Sequence, residues 1–331
     1  MTVRLGLLGA GRIGKVHAKA IAANPGARLV AVADAFPEAA SQLAESAGAE
    51  VRTADAILAA GDIDAVLITT PTDVHAMMIE QAARAKKAIF CEKPIDLDVE
   101  RVRACLKVVA AENAKLMVGF NRRFDANFAE VHRQIDEGAI GKVEMVSITS
   151  RDPGPPGGDY IKRSGGMFRD MTIHDFDMTR FLLGEEPVTV YASASVLVDP
   201  EIGELGDFDS ASVVLTTKSG RIAQISNSRR ASYGYDQRIE VHGSKGLVSA
   251  ENVRATNVEI ATADGYRREP LLNFFMTRYT EAYRSEIGSF IAAVEGGGPI
   301  VPSGEDGLRA LVLADAALLS AKEKRIVDIE L

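Results

Sequence analysis

The chain has 331 residues, of which 47% are hydrophobic and 25% charged, and its formal net charge is −8 at pH 7. This length favours two domains of ordinary size, and this composition is typical of globular proteins and argues against disorder. The negative charge, with no stripe of Lys or Arg, argues against nucleic acid or an anionic membrane surface as a partner.

The first third of the chain alternates short apolar runs with segments of helical periodicity. The runs predicted as strands are Val3–Leu8, Leu29–Ala33, Ala65–Thr70, Ala88–Cys91 and Leu116–Phe120. The helical patterns between them cover Ile13–Ala23, Phe36–Ser46, Val74–Ala85 and Leu97–Glu112. Apolar strands that alternate with helices indicate a parallel sheet covered on both faces. We therefore predict a doubly wound α/β domain over residues 1–120.

After Phe120 the pattern changes to one that favours a second domain. A helix is predicted over Asp125–Glu137 and a strand over Val143–Thr149, followed by a loop rich in Pro and Gly at Asp152–Gly158. The later runs predicted as strands are Val188–Val198, Ser210–Thr217, Ile222–Ser226, Gln237–His242 and Gly246–Ser249, and the last helices are Thr280–Ala293 and Gly307–Lys322. Strands without alternating helices predict an α+β domain over residues 121–331 with a large, open, mostly antiparallel sheet. The last helices can pack back toward the first domain.

A glycine-rich turn, Gly9-Ala10-Gly11-Arg12-Ile13-Gly14, follows the first predicted strand and opens the first helix. Glycines there let the backbone approach a pyrophosphate, and the helix N-terminus offers N–H groups to it. Asp34 ends the second predicted strand, where a carboxylate binds ribose hydroxyls and repels a 2′-phosphate. Ala35 and Phe36 follow, where an NADP enzyme often has Arg or Ser. The order of strand, glycine turn, helix, second strand and acidic residue predicts a Rossmann domain that binds NAD. It argues against a glycine turn that only connects a strand to a helix.

A second motif, Glu92-Lys93-Pro94, lies at the end of a predicted strand, where open α/β sheets bind their ligands. An ammonium there could stabilise a developing alkoxide, although an isolated Lys near a strand end is usually a solvated charge. Two further motifs strengthen the functional interpretation. They are Thr70-Pro71-Thr72-Asp73-Val74-His75 and Asp170-Met171-Thr172-Ile173-His174-Asp175-Phe176-Asp177.

With these four motifs in order, essentially the whole chain resembles the glucose-fructose oxidoreductase, inositol dehydrogenase and rhizopine-catabolism family, called Gfo/Idh/MocA. Within it, the closest resemblance is to bacterial inositol 2-dehydrogenases (myo-inositol dehydrogenases), through residues 119–125, 164–170 and 228–236. The resemblance implies a catalytic group of Lys93, Asp170 and His174. The residues predicted to bind the cofactor, from the glycine turn, Asp34 and the two strand-end motifs, are Gly9, Gly11, Arg12, Ile13, Gly14, Asp34, Thr70, Pro71, His75, Glu92 and Lys93. The resemblance assigns substrate binding to Arg123, Asp177 and Tyr233.

The activity implied by the resemblance is hydride transfer from a secondary hydroxyl of a cyclic polyol, myo-inositol foremost, to NAD, which gives an inosose. It also implies a homo-oligomer, a dimer or a homotetramer, that covers the open sheet. Two alternatives remain open. One is a dehydrogenase of another inositol isomer or of an aldose sugar, and the other is a non-catalytic NAD-binding regulator.

The spacing of Asp170 and His174 allows a specific chemistry if both lie on one helical turn. Side chains at i and i+4 share a face, so the carboxylate could accept the imidazole N–H and leave the other nitrogen as a base. Asp177 would fall on the same face. The alternatives are a solvated face or metal ligation by these three residues.

The other histidines form no Cys/His cluster with metal spacing, and we expect no bound metal. His17 and His132 are interpreted as helix-surface or packing residues and His242 as a strand residue before a turn. His75 could contact the nicotinamide or cap its helix.

A cytoplasmic location is expected from three features of the sequence. The N-terminus has no signal-peptide pattern, and no apolar stretch is long enough to span a bilayer. Cys91 and Cys105 lie in a predicted strand and helix, with no further cysteine to build a disulfide framework.

Overall fold

The computed structural model describes residues 2–296 and 298–330 and divides the chain into two compact units. The first unit contains the chain up to Asp125 together with Thr280–Leu311. The second contains Ala126–Tyr279 together with the chain from Val312 onward. The chain thus passes between the units at three points, whereas a division at residue 120 has one. The assignment of residues 1–120 to the cofactor and 121–331 to the substrate stays a prediction.

The regular elements are numbered here in chain order. The strands are β1 (Val3–Leu8), β2 (Ala27–Ala33), β3 (Glu50–Val51), β4 (Ala65–Ile68), β5 (Ala88–Glu92), β6 (Leu116–Gly119), β7 (Val143–Arg151), β8 (Pro187–Ser195), β9 (Ser210–Thr217), β10 (Ile222–Ser228), β11 (Asp236–Gly243), β12 (Gly246–Ala250), β13 (Glu259–Thr262), β14 (Gly265–Arg268) and β15 (Val327–Asp328). The helices are α1 (Arg12–Ala22), α2 (Pro37–Ala47), α3 (Ala54–Ala59), α4 (His75–Arg84), α5 (Val99–Ala111), α6 (Ala126–Asp136), α7 (Gly158–Ser164), α8 (Ile173–Leu183), α9 (Pro200–Glu204), α10 (Phe275–Arg278), α11 (Thr280–Val294) and α12 (Gly304–Glu323).

The first unit is built on a parallel sheet with the strand order β3-β2-β1-β4-β5-β6. Every residue of β4 is buried, as expected for an apolar strand covered on both faces. The order reverses between β1 and β4, and ligands of open α/β sheets bind at the carboxyl ends of the strands at such a point. The predicted doubly wound fold is confirmed.

Helix α11 belongs to the first unit because its aromatic residues pack on the sheet. Phe290 contacts Phe90 of β5, with 5.7 Å between ring centroids. Tyr283 contacts His17 of α1 at 5.5 Å. A cut in the sequence at residue 120 cannot show this arrangement, since the contacting residues are far apart in the chain.

The second unit is built on a mixed sheet with the order β12-β11-β7-β10-β9-β8-β15. Within this second sheet, as far as the structure describes it, β7 and β10 are the one parallel pair, so the predicted, mostly antiparallel sheet is confirmed. Helix α8 packs against β7 and β10 on one face. The other face exposes alternate residues, among them Met145, Tyr191, Val214 and Leu247.

Short elements depart most from the sequence prediction. The elements that were not predicted are strands β3 and β15, the hairpin of β13 and β14, and helices α3, α7, α9 and α10, because such short segments carry too little periodicity to detect. The longer helix α8 was considered only as a possible helical turn around His174. Strand β4 ends at Ile68, two residues earlier than predicted, and β5 continues through Glu92. Among the described residues, no helix combines the length and the apolar character needed to cross a membrane.

Candidate active site

The glycine turn after β1 needs glycine for backbone reasons. Gly9 has a φ of +108°, and a Cβ there would lie 2.6 Å from the carbonyl group of Thr69. A Cβ on Gly14 would collide with the carbonyl oxygen of Gly9. Gly11 differs, because a Cβ there would have no neighbour within 4 Å among the described residues. The turn is therefore closed at two glycines and open at the third.

The open position lies directly at the N-terminus of α1, for which Gly11 is the N-cap. The first turn of α1 contains no acidic residue, and no side chain caps it. No acidic or capping side chain of the helix itself therefore neutralises its N–H groups and the positive end of its dipole. This geometry fits a pyrophosphate.

Asp34 lies beside this turn at the end of β2. Its Oδ2 accepts a hydrogen bond of 2.6 Å from the backbone N–H of Ala10, and its Oδ1 accepts one of 2.8 Å from Phe36. Both oxygens are thus held in place and retain further acceptor capacity. A ribose diol could bind there, whereas a phosphate would meet a like charge.

Thr69 links β4 to the glycine turn at the point where the strand order reverses. Its hydroxyl contacts the carbonyl oxygens of Leu8 at 3.1 Å and of Gly9 at 2.8 Å. The side chain therefore ties the end of β4 to the glycine turn. Thr69 was not predicted as a site residue, because it falls inside the run Ala65–Thr70 that was predicted as a strand.

The carboxylate of the Glu-Lys-Pro motif is buried against α1. His17 Nε2 donates to Glu92 Oε1 at 2.5 Å, and the His17 side chain is fully buried. A Cβ on Gly119 of β6 would lie 3.1 Å from Glu92 Oε2. Glu92 therefore anchors the strand end from which Lys93 follows, and His17 is a buried partner rather than a surface residue.

His75 bridges the two loops that follow β4 and β5. Its Nδ1 lies 2.8 Å from the carbonyl oxygen of Pro94, and its Nε2 lies 2.8 Å from that of Thr70. Burial lowers the pKa of His75 below its ordinary value, and the two carbonyls oppose this shift only in part. The neutral ring donates to one carbonyl at a time. Both ring nitrogens are thus engaged with protein, and a contact with the nicotinamide stays a prediction.

The remaining predicted residues of the first unit lie in different settings. Arg12 is exposed and Ile13 half-buried in the first turn of α1, while Pro71 is exposed in the loop after β4. Arg123 forms an ion pair of 2.9 Å with Asp306 at the start of α12. Its predicted contact with substrate stays a prediction.

Asp170 lies in an irregular turn of the second unit. Residues Phe168–Thr172 form a π-helical segment that leads directly into α8, where His174 is the second residue. Asp170 Oδ1 accepts a 2.8 Å hydrogen bond from the Tyr160 hydroxyl, and Oδ2 lies 3.6 Å from a guanidinium nitrogen of Arg229. The i, i+4 geometry considered from the sequence assumes a regular helical turn, but the backbone here is π-helical and wider. A hydrogen bond from His174 to Asp170 stays a prediction.

Helix α8 begins above a network of buried polar groups. Asn227 of β10 donates to Asp175 at 2.8 Å and accepts from the Thr172 hydroxyl at 2.7 Å. Asp177 is also fully buried and lies 3.8 Å from Arg180. Asp175 and Asp177 are therefore buried charges, which require partners, whereas Asp170 and His174 are partly exposed.

Tyr233 lines a cavity of about 670 Å³ in the second unit. Its hydroxyl donates to Asp236 at 2.7 Å and accepts from Arg151 at 3.1 Å. Burial of the hydroxyl raises the pKa of Tyr233, and the hydrogen bond to Asp236 raises it further. About half of the side chain is exposed, so a face remains for a ligand.

No group of three or more His, Cys, Asp or Glu side chains suited to a metal ion occurs in the part of the chain that the structure describes.

The two units match known sequence families separately. Residues 3–120 match the oxidoreductase family with an NAD-binding Rossmann fold, and residues 128–249 match the Gfo/Idh/MocA C-terminal domain. The chain belongs to the Gfo/Idh/MocA family of oxidoreductases. Its Rossmann domain is thus of the NAD-binding type, in agreement with the cradle at Gly11 and the carboxylate at Asp34.

Relatives in this family are similar to the chain along its full length. An inositol 2-dehydrogenase of Rhizobium meliloti (strain 1021) is 71% identical, over 99% of this chain and 100% of the relative. A solved myo-inositol dehydrogenase from Corynebacterium glutamicum is 45% identical, with a TM-score of 0.96 over 100% of both chains. A scyllo-inositol dehydrogenase from Lactobacillus casei, solved with NAD(H) and scyllo-inositol, is 30% identical, with a TM-score of 0.92 over 99% of both chains.

Proposed function

We propose that the chain is an NAD-dependent dehydrogenase that oxidises a secondary hydroxyl of myo-inositol to give an inosose. The observation that supports this most strongly is the full-length similarity to inositol 2-dehydrogenases, in a chain whose glycine cradle and Asp34 fit NAD. Other inositol isomers and aldoses are the alternative substrates. A regulator without turnover is less well supported, because Lys93, Asp170 and His174 are all present.

The catalytic group in this proposal consists of Lys93, Asp170 and His174. Bound NAD supplies the hydride acceptor. His174 removes the proton of the reacting hydroxyl as a general base, and the Lys93 ammonium stabilises negative charge that develops on the oxygen. Asp170 orients the imidazole and supports the cation that forms. Removing the proton while holding the oxygen makes the adjacent C–H bond easier to break.

The remaining hydroxyls of a polyol ring need several hydrogen-bonding groups. We assign this role to Arg123, Asp177 and Tyr233, as the family resemblance implies. Tyr233 is the best supported of the three, since it combines a fixed hydroxyl with an exposed face in an open cavity. The cavity also contains Arg238 and Glu251, which are further donors and acceptors.

We further propose a homo-oligomer, a dimer or a homotetramer. The open face of the second sheet exposes the apolar side chains of Met145, Tyr191, Val214 and Leu247, and exposed apolar residues on an uncovered sheet favour association. Free, buried Cys91 and Cys105 support a reducing, cytoplasmic location.

A panel of polyols tests the proposed substrate. We expect myo-inositol to give the highest kcat/KM among myo-, scyllo- and chiro-inositol, glucose and galactose, measured with NAD as absorbance of the reduced cofactor. The reason is the similarity to inositol 2-dehydrogenases. A clear preference for an aldopyranose would favour the alternative enzyme, and no turnover with any polyol would favour the regulator.

The choice of cofactor provides a second prediction. NAD should exceed NADP in kcat/KM by at least about tenfold, since a 2′-phosphate facing Asp34 should cost more than about 1.4 kcal/mol. Asp34→Ser should narrow this difference, and the exposed Asp55→Ser is a matched control. Steady-state rates at equal polyol concentration decide the question. Equal use of both cofactors by the unaltered chain would contradict the role of Asp34.

A further inference from the structure

The second unit contains a buried guanidinium between two carboxylates. The Arg229 side chain is 1% exposed and directly follows strand β10. One of its terminal nitrogens lies 3.6 Å from Asp170 Oδ2, and the other lies 3.6 Å from Asp207 Oδ2. Burial of a charge is costly unless it is paired, so this arrangement needs a reason beyond filling space.

The geometry differs from that of a structural ion pair. Arg180 binds Glu186 through two parallel hydrogen bonds of 2.8 Å in the same unit. Arg229 instead stands at 3.6 Å from each carboxylate, and its Nε and one terminal nitrogen have no hydrogen-bond partner among the described residues. It therefore acts on both carboxylates through its charge and position more than through a bidentate bond.

The surroundings hold Arg229 in this position. Its backbone N–H donates to the carbonyl oxygen of Asp209 at 2.8 Å. Asp207 is held in turn, because its Oδ1 accepts a 2.9 Å hydrogen bond from the N–H of Met167. Gly166 leaves space for this carboxylate, since a Cβ there would lie 2.6 Å from Oδ1. Arg229 is thus fixed beside the π-helical segment that contains Asp170.

Asp170 is consequently held at both of its oxygens. The Tyr160 hydroxyl donates to Oδ1 at 2.8 Å, and the Arg229 guanidinium faces Oδ2. We propose that Arg229 and Tyr160 are positioning residues for the dehydrogenase reaction, which they support by fixing the carboxylate of Asp170. The inference rests on the proposed role of Asp170 as the residue that orients His174.

Arg229→Lys tests the contribution of Arg229 to the positioning of Asp170, which we expect to be larger than that of Tyr160. A lysine retains the charge but is a point charge on a flexible stem, which cannot span two carboxylates as a planar guanidinium does. We expect kcat to fall about tenfold, by analogy with the groups that orient metal ligands, while KM for myo-inositol changes by less than about threefold. Arg230→Lys, at the exposed neighbouring position, is the matched control and should retain kcat.

A double-mutant cycle distinguishes positioning from general damage. If Arg229 acts through Asp170, Arg229→Lys should lower kcat by less than about twofold when Asp170 is already Asn. Tyr160→Phe should likewise have little effect on kcat when Asp170 is already Asn. As a single variant, it should lower kcat by less than Arg229→Lys does. Because the Tyr160 side chain is half exposed, this variant keeps the test decisive even if Arg229→Lys fails to fold.

Full, additive losses in the Asp170→Asn background, or wild-type kcat in both single variants, would overturn the inference. Should Asp170→Asn itself retain wild-type kcat, the assignment of Asp170 would fail, and the inference with it. A low kcat for Asp170→Asn with unchanged Arg229→Lys and Tyr160→Phe would overturn the inference alone. Melting temperature and NAD affinity of each variant establish that the folded protein is compared.

Discussion

His174→Ala should lower kcat by about 10²- to 10⁴-fold, the usual effect of losing a general base, and leave NAD affinity nearly unchanged. The cofactor cradle lies in the first unit, whereas His174 lies in the second, so binding and chemistry should separate. The rise of the rate with pH on the acidic side should flatten in the variant. Calorimetric NAD titration and turnover across the pH range measure both quantities.

His242→Ala is the matched control, because His242 is an exposed histidine in the same unit. It should retain the kcat and the pH profile of the unaltered chain. If His174→Ala also retained them, the proposed base would be wrong. Loss of wild-type activity on addition of EDTA would instead favour a metal site.

Two glycine substitutions should distinguish the glycine that the fold of the turn requires from the glycine that leaves space for the cofactor. Gly11→Ala should leave the free energy of unfolding nearly unchanged, since its Cβ enters open space, yet weaken NAD binding about tenfold or more by filling the cradle. Gly14→Ala should also destabilise the fold by about 1–3 kcal/mol, the usual cost of overpacking, because its Cβ meets the Gly9 carbonyl. Denaturation and NAD titration distinguish the two.

Gly61→Ala is the matched control for these variants. A Cβ there also enters open space among the described residues, but far along the sequence from the turn, so both stability and NAD affinity should persist. Unchanged NAD affinity in Gly11→Ala would contradict a pyrophosphate site at the start of α1. Equal stability of Gly14→Ala and the unaltered chain would contradict the close contact described for this turn.

The fold around the glycine turn could be predicted from the sequence because the residues that determine it are close together in the chain. Strand β1, the glycine turn, helix α1 and Asp34 follow one another within the first two strands. The backbone requirement at Gly9 and the period of an apolar strand are both properties of short segments. The α/β class and the mostly antiparallel second sheet followed from the same patterns. The catalytic and substrate-binding assignments came from the family resemblance and stay predictions.

Periodicity could not reveal the shape of the turn that contains Asp170. The pattern assumes regular helical spacing, but Phe168–Thr172 is π-helical, and Thr172 is held by Asn227 of a distant strand. Side-chain hydrogen bonds to another element can stabilise a backbone that the local sequence does not encode. The position and orientation of the Asp170 carboxylate therefore depend on the tertiary structure.

By itself, the sequence determined the longer strands and helices of the first sheet, the mostly antiparallel character of the second, the glycine turn and the acidic residue that follows it. The tertiary structure alone decided that His17 is the buried partner of Glu92 and that Arg229 lies between Asp170 and Asp207. A polar residue in a helix or after a strand looks the same in sequence whether it meets water or a carboxylate. Its partner depends on how elements distant in the chain pack together. Once the residue is buried it must have such a partner, because an unpaired buried charge costs too much free energy.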